Sequence, residues 1–480
     1  MSRNFNICLT LCLVLVLFSC NKEESIQTLD TDATLTDEPE VTGVVDCNGN
    51  AGGDSVKVFF RNGSLIEAKK TNPGGRFSFS VPANTELTLE VKLLDASKDT
   101  VIDVTSGAAG SVVNMGKINL CNPYVFTQIA SGFAHSLALR SDGSIWGWGN
   151  NNHGQLGDST LSNHPVPIRI GTENDWIKIV AHGNFSMGLK YDGTLWAWGD
   201  NGRGQLGDGT QIDRYNPVQE ITQSNNWSEV AAGYSHVIAL KSNYTLWSWG
   251  NNYSGELGQG TSAITSQSIP TQVGTDQDWK YVYAGGVSEF MNVSCAIKSD
   301  DRLWFWGDNY WGQCNLGANN IYSPEPRNNQ LDWKPQVSIG GSHVVALRLN
   351  GSLWSWGFNS YSQVGNNYNN TCYSPILINA TTNWKSVTAG GLFSMALKSD
   401  GTLWSWGANT FGNLANGSYY QQGSPAQVTN DSDWMAISSA GNHVVLLKNN
   451  GSVWCVGSGS SGQLGNSLTS NSPSPVRVLF

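Results

Sequence analysis

Residues 129–157 read IASGFAHSLALRSDGSIWGWGNNNHGQLG, and the fold follows from how this stretch is built and how often it returns. Its Trp146 and Trp148 stand two residues apart. On a strand, positions i and i+2 share a face, whereas on a helix they point apart. The pair therefore predicts a strand with one face to bury. Upstream, His135–Arg140 forms a second strand-like run. Asp142-Gly143 between the two runs predicts a two-residue type I′ turn, hence an antiparallel hairpin.

The Trp-x-Trp-Gly motif returns at Trp196, Trp247, Trp304, Trp354 and Trp404, and in decayed form as Trp454-Cys455-Val456-Gly457. The intervals are 50, 51, 57, 50, 50 and 50 residues. Each copy opens about twenty residues earlier with an aromatic: Phe126, Trp176, Trp227, Trp279, Trp333, Trp384 and Trp434. These slots hold nineteen of the twenty tryptophans; Trp311 alone falls outside. The turn recurs as Asp192-Gly193, Asn350-Gly351, Asp400-Gly401 and Asn450-Gly451, and more weakly as Asn243-Tyr244 and Asp300-Asp301. A Gly-Gln-Leu-Gly loop follows, then a fourth strand led by proline (Pro217, Pro475), which suits a sheet edge that needs no ladder donor.

Seven four-stranded units of about fifty residues predict an all-β, seven-bladed β-propeller. A lone sheet leaves its indoles wet, whereas sheets packed face to face around a ring cover each other. Burying one Trp removes roughly 150–250 Å² from water, worth about 4–6 kcal/mol at ~25 cal/mol per Å² as an upper bound. The closing seam is expected to join the last strand, near Val476 to Leu479, with the first, near Phe126 to Ala130, leaving no free edge.

The pattern A-x-G-x-x-H-S-x-A-L-x-x-D-G-x-L-W-x-W-G-x-N-x-x-G-Q-L-G resembles the repeat of the regulator of chromosome condensation family, from Tyr124 to Phe480. The resemblance implies a seven-bladed propeller that acts by binding proteins. A relative's light-sensing Gly-Trp-Arg-His-Thr is absent: Phe133, Gly183 or Tyr234 follows the motif glycine.

The N-terminal quarter reads differently. Arg3 and the apolar run Ile7 to Phe18 form an export signal too short to span a bilayer. Leu17-Phe18-Ser19-Cys20 resembles a bacterial lipobox, which implies residues 1–20 as a lipoprotein signal and Cys20 as the lipidated residue. Residues 21–40 carry seven acids against Lys22 and no hydrophobic period, as an acidic flexible linker does. The stretch Cys20-Asn-Lys-Glu-Glu24 is similar to tags that send lipoproteins to the outer surface. Residues 41–121 alternate short strands with turns, a small β-sandwich preceding the propeller of residues 122–480. Val41-Thr-Gly-Val-Val-Asp46 and Thr71-Asn-Pro-Gly-Gly-Arg-Phe-Ser-Phe-Ser-Val-Pro82 resemble the carboxypeptidase regulatory-like domain, which implies a structural spacer. With Cys8 and Cys12 gone with the signal, Cys47 and Cys121 bracket this domain as a possible disulfide; Cys295, Cys314, Cys372 and Cys455 lie in the propeller.

Charged residues make up 13 % of the chain and no Lys/Arg cluster stands out, so a nucleic-acid footprint is missing. The His slot of the repeat holds His135, Phe185, His236, Val293, His343, Phe393 and His443. Substitution by Phe and Val there excludes a ligand ring and predicts residues that serve their own blade. Asp175, Asp278, Asp332 and Asp433, ahead of the opening tryptophans, read as turn formers and not as an acid–base pair. With no Gly-x-Ser-x-Gly elbow and no phosphate loop, no catalytic, cofactor or metal residues are predicted.

Departures from the repeat are the candidates for function. The fourth copy carries extra residues around Val287 to Asn292, then Tyr310-Trp311 and a longer Gly312-Gln-Cys-Asn-Leu-Gly317. Phe290, Tyr310 and Trp311 are the expected partner-binding residues. The expected protein is a monomeric, non-enzymatic, outer-membrane lipoprotein whose propeller binds an unknown protein partner. The alternatives are a carbohydrate or cell-wall module, using Tyr310, Trp311, Tyr419 and Tyr420, and an inhibitor of a secreted enzyme.

Overall fold

The computed structural model describes residues 125–480, except 262, 316, 318 and 327–331. Before residue 125 it describes strand backbones only, which belong to a separate unit. Among these, Glu40–Val44 pairs with Arg76–Ser80 and Val112–Lys117, and Val56–Asn62 pairs with Ser64–Lys70 and Thr88–Leu93. The expected signal peptide, the linker, Cys20, and the Cys47 and Cys121 side chains lie outside the described residues.

Phe126–Phe480 is a ring of seven four-stranded antiparallel sheets, each with its strands in sequence order, and no helix occurs among the described residues. The first blade comprises Phe126–Ser131, His135–Arg140, Ile145–Gly149 and His164–Ile170. The others open at Trp176, Trp227, Trp279, Trp333, Trp384 and Trp434. First strands line the axis, where the turns that follow them meet from blade to blade: Phe133 N–H donates to Gly183 O at 2.8 Å, and Gly391 N–H to Gly441 O at 2.9 Å. Prolines cluster on the outermost strands, Pro165 and Pro167 among them, as their missing N–H requires; Pro335, on the first strand of the fifth blade, falls in the register irregularity between Trp333 and Val337.

The indoles fill the space between sheets. Trp148, Trp198, Trp249, Trp306, Trp356 and Trp406 are fully buried, and each clusters with residues of the blade before it or the blade after it. Each donates its Nε1–H to the carbonyl at the Gln position of the preceding blade's Gly-Gln-Leu-Gly loop, as Trp198 does to Gln155 O at 2.9 Å and Trp306 to Glu256 O at 2.8 Å. That contact explains the loop's last glycine. A Cβ on Gly157, at φ +64°, would lie 2.9 Å from the Trp198 ring.

Four expectations need correction. First, the Asp-Gly turns are not two-residue loops. Arg140 pairs with Ser144 across three residues, and only Gly143 has positive φ (+78°), so this is a type I turn closed by a bulge. A single left-handed position lets Tyr244 and Asp301 stand in for glycine. The Asx side chain has a further duty: Trp146 Nε1–H donates to Ser144 Oγ, which donates to Asp142 Oδ1 at 2.6 Å. In the fourth blade Arg302 replaces that Ser/Thr, and Trp304 Nε1 is left buried without a partner.

Second, the acids before the opening tryptophans are counter-ions rather than turn formers. Lys190, at the end of its strand, lies 4.8 Å from both the Trp176 and Trp196 rings and 3.2 Å from Asp175. Lys298 with Asp278, Arg348 with Asp332 and Lys448 with Asp433 repeat the arrangement. The cation sits between two ring faces while its carboxylate holds it from outside.

Third, the last strand does not join the first sheet. Ser472–Arg477 pairs with Val453–Gly457 of its own blade. The seam closes by packing. Phe126 is smaller than the tryptophan of other blades, and the Phe480 ring fills the remaining space, 4.0 Å from Phe126, 5.9 Å from Trp146 and 5.7 Å from Trp148. It takes the place that Trp176 holds between Trp196 and Trp198.

Fourth, the His slot serves the next blade, not its own. His135 Nε2 lies 2.9 Å from Ser186 Oγ, which donates to Gln155 O at 2.7 Å; the imidazole must therefore donate. His236 with Ser294, His343 with Ser394 and His443 with Ser136 repeat the relay. Where the slot holds Phe185, Val293 or Phe393, the following blade presents Val237, Val344 or Val444, and each pair shares a hydrophobic cluster. Burial pushes the His135, His236 and His343 pKa down to about 3, and that of His443 to about 4, so all four are neutral donors.

Candidate interaction face

Third strands end where the Gly-Gln-Leu-Gly loops begin, so these loops and the axial turns crowd one end of the ring, and the Asp-Gly turns occupy the other. Six of the seven loops are fixed by one asparagine, and the seventh has Gly459 there. Asn151 Oδ1 accepts from Leu156 N–H at 2.9 Å while its Nδ2–H donates to Thr160 O at 3.0 Å, and Asn201, Asn252, Asn359 and Asn409 do the same. The Gln side chain then holds the N–H two residues before it, as Gln155 Oε1 holds His153 at 2.9 Å.

The held residues are His153, Arg203, Ser254, Trp311, Tyr361 and Ser461, of which Ser254 alone is buried; in the sixth loop Phe411 has the same position, with Asn413 in place of Gln. Trp311 is therefore part of the repeat, its N–H held by Gln313 Oε1 at 2.9 Å. The fourth loop is also not longer as expected. Cys314 fills the Leu156 position, and Asn315, at φ +55°, fills that of Gly157; Leu316 and Gly317 only imitate the motif.

The fourth blade's extra residues lie across the mouth of the axis. A Cβ on Gly341 or Gly391, in the axial turns of the fifth and sixth blades, would meet Val287 Cγ1 at 3.0 and 3.8 Å. In the other direction Glu289 takes both forks of Arg203 on the second blade, at 3.0 and 2.5 Å. Arg203 lies over the Tyr253 ring at 4.9 Å, and Phe290 packs on Tyr253 at 5.3 Å. Beneath, Asn251 and Asn292 donate both to Glu289 O and to Glu256, which stands in a Gln slot. Burial pushes the Glu256 carboxyl up to about 7.

Phe290, Tyr310 and Trp311 thus occupy one face. Phe290 is 65 % exposed and Tyr310 64 %. Trp311 is half-buried between Tyr310 (4.9 Å) and Phe358 of the next blade (4.6 Å). The fourth to sixth blades form an aromatic arc, to which the exposed Tyr419 and Tyr420 of the sixth blade's loop belong. The first two blades instead present His153, Asp200, Asp213 and Arg203, the last paired with Glu289 of the fourth. Asp200 is held above the usual carboxylate range by burial and by Asp213 and Glu289 nearby. Cys295, Cys314, Cys372 and Cys455 are buried thiols.

A family model described as an RCC1-like domain matches residues 88–428. The ultraviolet-B receptor UVR8 of Arabidopsis thaliana is 28 % identical over 225 residues, covering 46 % of this chain and 50 % of the receptor. The chain thus spans about half the length of that relative. Among solved structures, human WBSCR16 matches with a TM-score of 0.62 at 21 % identity, over 70 % of this chain and 95 % of the other. Yeast RCC1 (Prp20) bound to Kap60 matches with a TM-score of 0.61 at 20 % identity, over 70 % and 84 %.

Proposed function

The chain belongs to the RCC1-like domain family, and from that premise we propose that its propeller is a non-enzymatic scaffold that binds a protein partner on the loop-bearing face. The observation that carries this is the exposed Phe290 and Tyr310, set on loops pinned by hydrogen bonds: Phe290 O accepts from Ser254 Oγ, Glu289 O accepts from Asn251 Nδ2, and Tyr310 N–H donates to Asp308 Oδ1. A rigid aromatic anchor loses little conformational freedom on binding, which is why such residues concentrate binding energy. The yeast relative was solved with a protein, Kap60, attached, which supports the same kind of role here. A glycan partner has less support, because Trp311 is already packed between Tyr310 and Phe358 instead of offering a free ring face.

The site of action follows from the N-terminal sequence. A lipid on Cys20 would tether the chain to the outer membrane of a bacterium, with residues 21–40 as spacer and residues 41–121 as a carboxypeptidase regulatory-like β-sandwich stapled by Cys47 and Cys121. The partner then belongs to the cell envelope or the medium.

The test is site-specific photo-crosslinking in the producing cells. A photoreactive residue at 290 or 310 is expected to give one discrete adduct. At Tyr191 or Tyr244, exposed on the opposite end of the ring, it is expected to give none. Equal labelling from both ends, or none from either, contradicts the assignment.

A further inference from the structure

Where the first two blades meet on the loop face, His153 Nδ1 and a carboxylate oxygen from each of Asp200 and Asp213 lie within 4.8 Å of one another. Around a tetrahedral ion with bonds near 2.1 Å, neighbouring ligand atoms stand about 3.4 Å apart. His153 Nδ1 and Asp213 Oδ2 are already 3.0 Å apart. All three residues are half-buried, so small side-chain rotations close the set and leave room for water as a further ligand.

The repeat supplies an internal control for each carboxylate. Asp213 Oδ1 accepts from Asn201 N–H at 2.8 Å, a bond that Asn163 makes to Asn151 N–H at 2.8 Å and Asn471 to Gly459 N–H at 3.1 Å. The fold needs an acceptor in that slot but no charge, and the second oxygen of Asp213 is turned to His153. The Asp200 slot normally satisfies a buried glutamine: Gln155 Nε2–H donates to Asn150 Oδ1 at 2.6 Å, and Gln313 to Asp308 Oδ2 at 2.6 Å. Asp200 accepts the Gly202 N–H at 3.0 Å, yet the fully buried Gln205 Nε2 has no partner. The repeat sets Gln205 Nε2 beside the Asp200 slot, as it sets Gln155 Nε2 beside Asn150, so this buried donor is left over for one more acceptor, such as a water on a bound ion. Gln363 Nε2 is also without a partner, but there the slot holds Phe358, which offers no acceptor. Arg203, the nearby cation, is committed to Glu289.

We propose that His153, Asp200 and Asp213 bind one divalent transition-metal ion of the Zn²⁺ class, bridging the first and second blades. One imidazole with two carboxylates is a borderline nitrogen–oxygen set that suits zinc or manganese, whereas calcium and magnesium take oxygen alone.

The test is Zn²⁺ titration of the chelator-stripped full chain, followed by calorimetry and by thermal unfolding. The wild-type midpoint is expected to rise with Zn²⁺. Asp213→Asn keeps the acceptor that Asn163 provides, so it is expected to fold normally and to lose about tenfold or more in Zn²⁺ affinity. Asp200→Asn keeps an oxygen acceptor for the Gly202 N–H and removes a buried negative charge beside Asp213 and Glu289. It is expected to raise the midpoint without metal and to abolish the metal-dependent rise, an opposition that a merely structural carboxylate would not produce. Equal Zn²⁺ affinity in the wild type and both variants, or no Zn²⁺ effect on the wild type, overturns the proposal.

Discussion

His443 Nε2 lies 2.8 Å from Ser136 Oγ, and this hydrogen bond joins the seventh blade to the first. It also exposes an arithmetic constraint on the ring. Around the axis, interfaces alternate between a His–Ser pair and a Phe–Val or Val–Val pair. An odd number of interfaces cannot alternate without a fault, so two of one kind must adjoin, and here they are polar. They adjoin at the first blade, which alone carries both residues in sequence, His135 and Ser136; the blades with His236, His343 and His443 follow it with Val237, Val344 and Val444.

Phe480 completes the first blade's aromatic cluster, so Phe480→Ala is expected to destabilise the propeller. Full burial of Phe is worth about 3–5 kcal/mol on truncation to Ala. Because Phe480 is 39 % exposed, a cost of about 2 kcal/mol is expected in urea unfolding. Phe126→Trp in that background is expected to recover part of the loss, by supplying the indole that other blades have.

Acid should loosen the ring at its polar interfaces. The four histidines have folded pKa values of about 3 to 4, against 6.5 when unfolded. Between those values the unfolded chain holds protons that the folded chain does not, so their contribution to stability falls as pH drops below about 6.5. Urea unfolding at pH 7.5, 6 and 5 measures the slope. The double variant His343→Phe/Ser394→Val is expected to reduce it by about 1.4 kcal/mol per pH unit in that window.

Glu256 works with the opposite sign. Its folded pKa of about 7 exceeds the ordinary 4.5, so its contribution is present at low pH and is lost as pH rises through 7. Glu256→Gln, which restores the residue of the other loops, is expected to raise the unfolding midpoint at pH 8 and to change it little at pH 5. Because Glu256 underpins the insertion through Asn251 and Asn292, hydrogen exchange at Met291 and Asn292 should slow in the variant at pH 8.

Blade number and strand order were legible because Trp-x-Trp-Gly has a strand's periodicity and a fifty-residue repeat. What escaped the sequence lies between copies. The pairing of His135 with Ser186 appears only when one copy's slot is set beside the next copy's following residue, and within a single copy Phe185 looks like free substitution. Asp142-Gly143 fits both a two-residue and a three-residue turn, and only the pairing of Arg140 with Ser144 decides. Leu316-Gly317 mimicked the loop motif while Cys314-Asn315 held its place, because a buried thiol fills a leucine site and Asn tolerates positive φ. Phe290, Tyr310 and Trp311 were found as departures from the repeat, whereas His153, Asp200 and Asp213 conform to it and are joined only by folding.

The claim that adjacent blades are matched in pairs is tested most directly by a double-mutant cycle at His135 and Ser186, read as unfolding free energy at pH 7.5. His135→Phe and Ser186→Val are each expected to cost about 1–3 kcal/mol, since each strands a buried polar group. The double variant recreates the Phe185–Val237 interface and is expected to return within about 1 kcal/mol of the wild type. Additive losses, with the double variant the least stable of the four, would contradict the account.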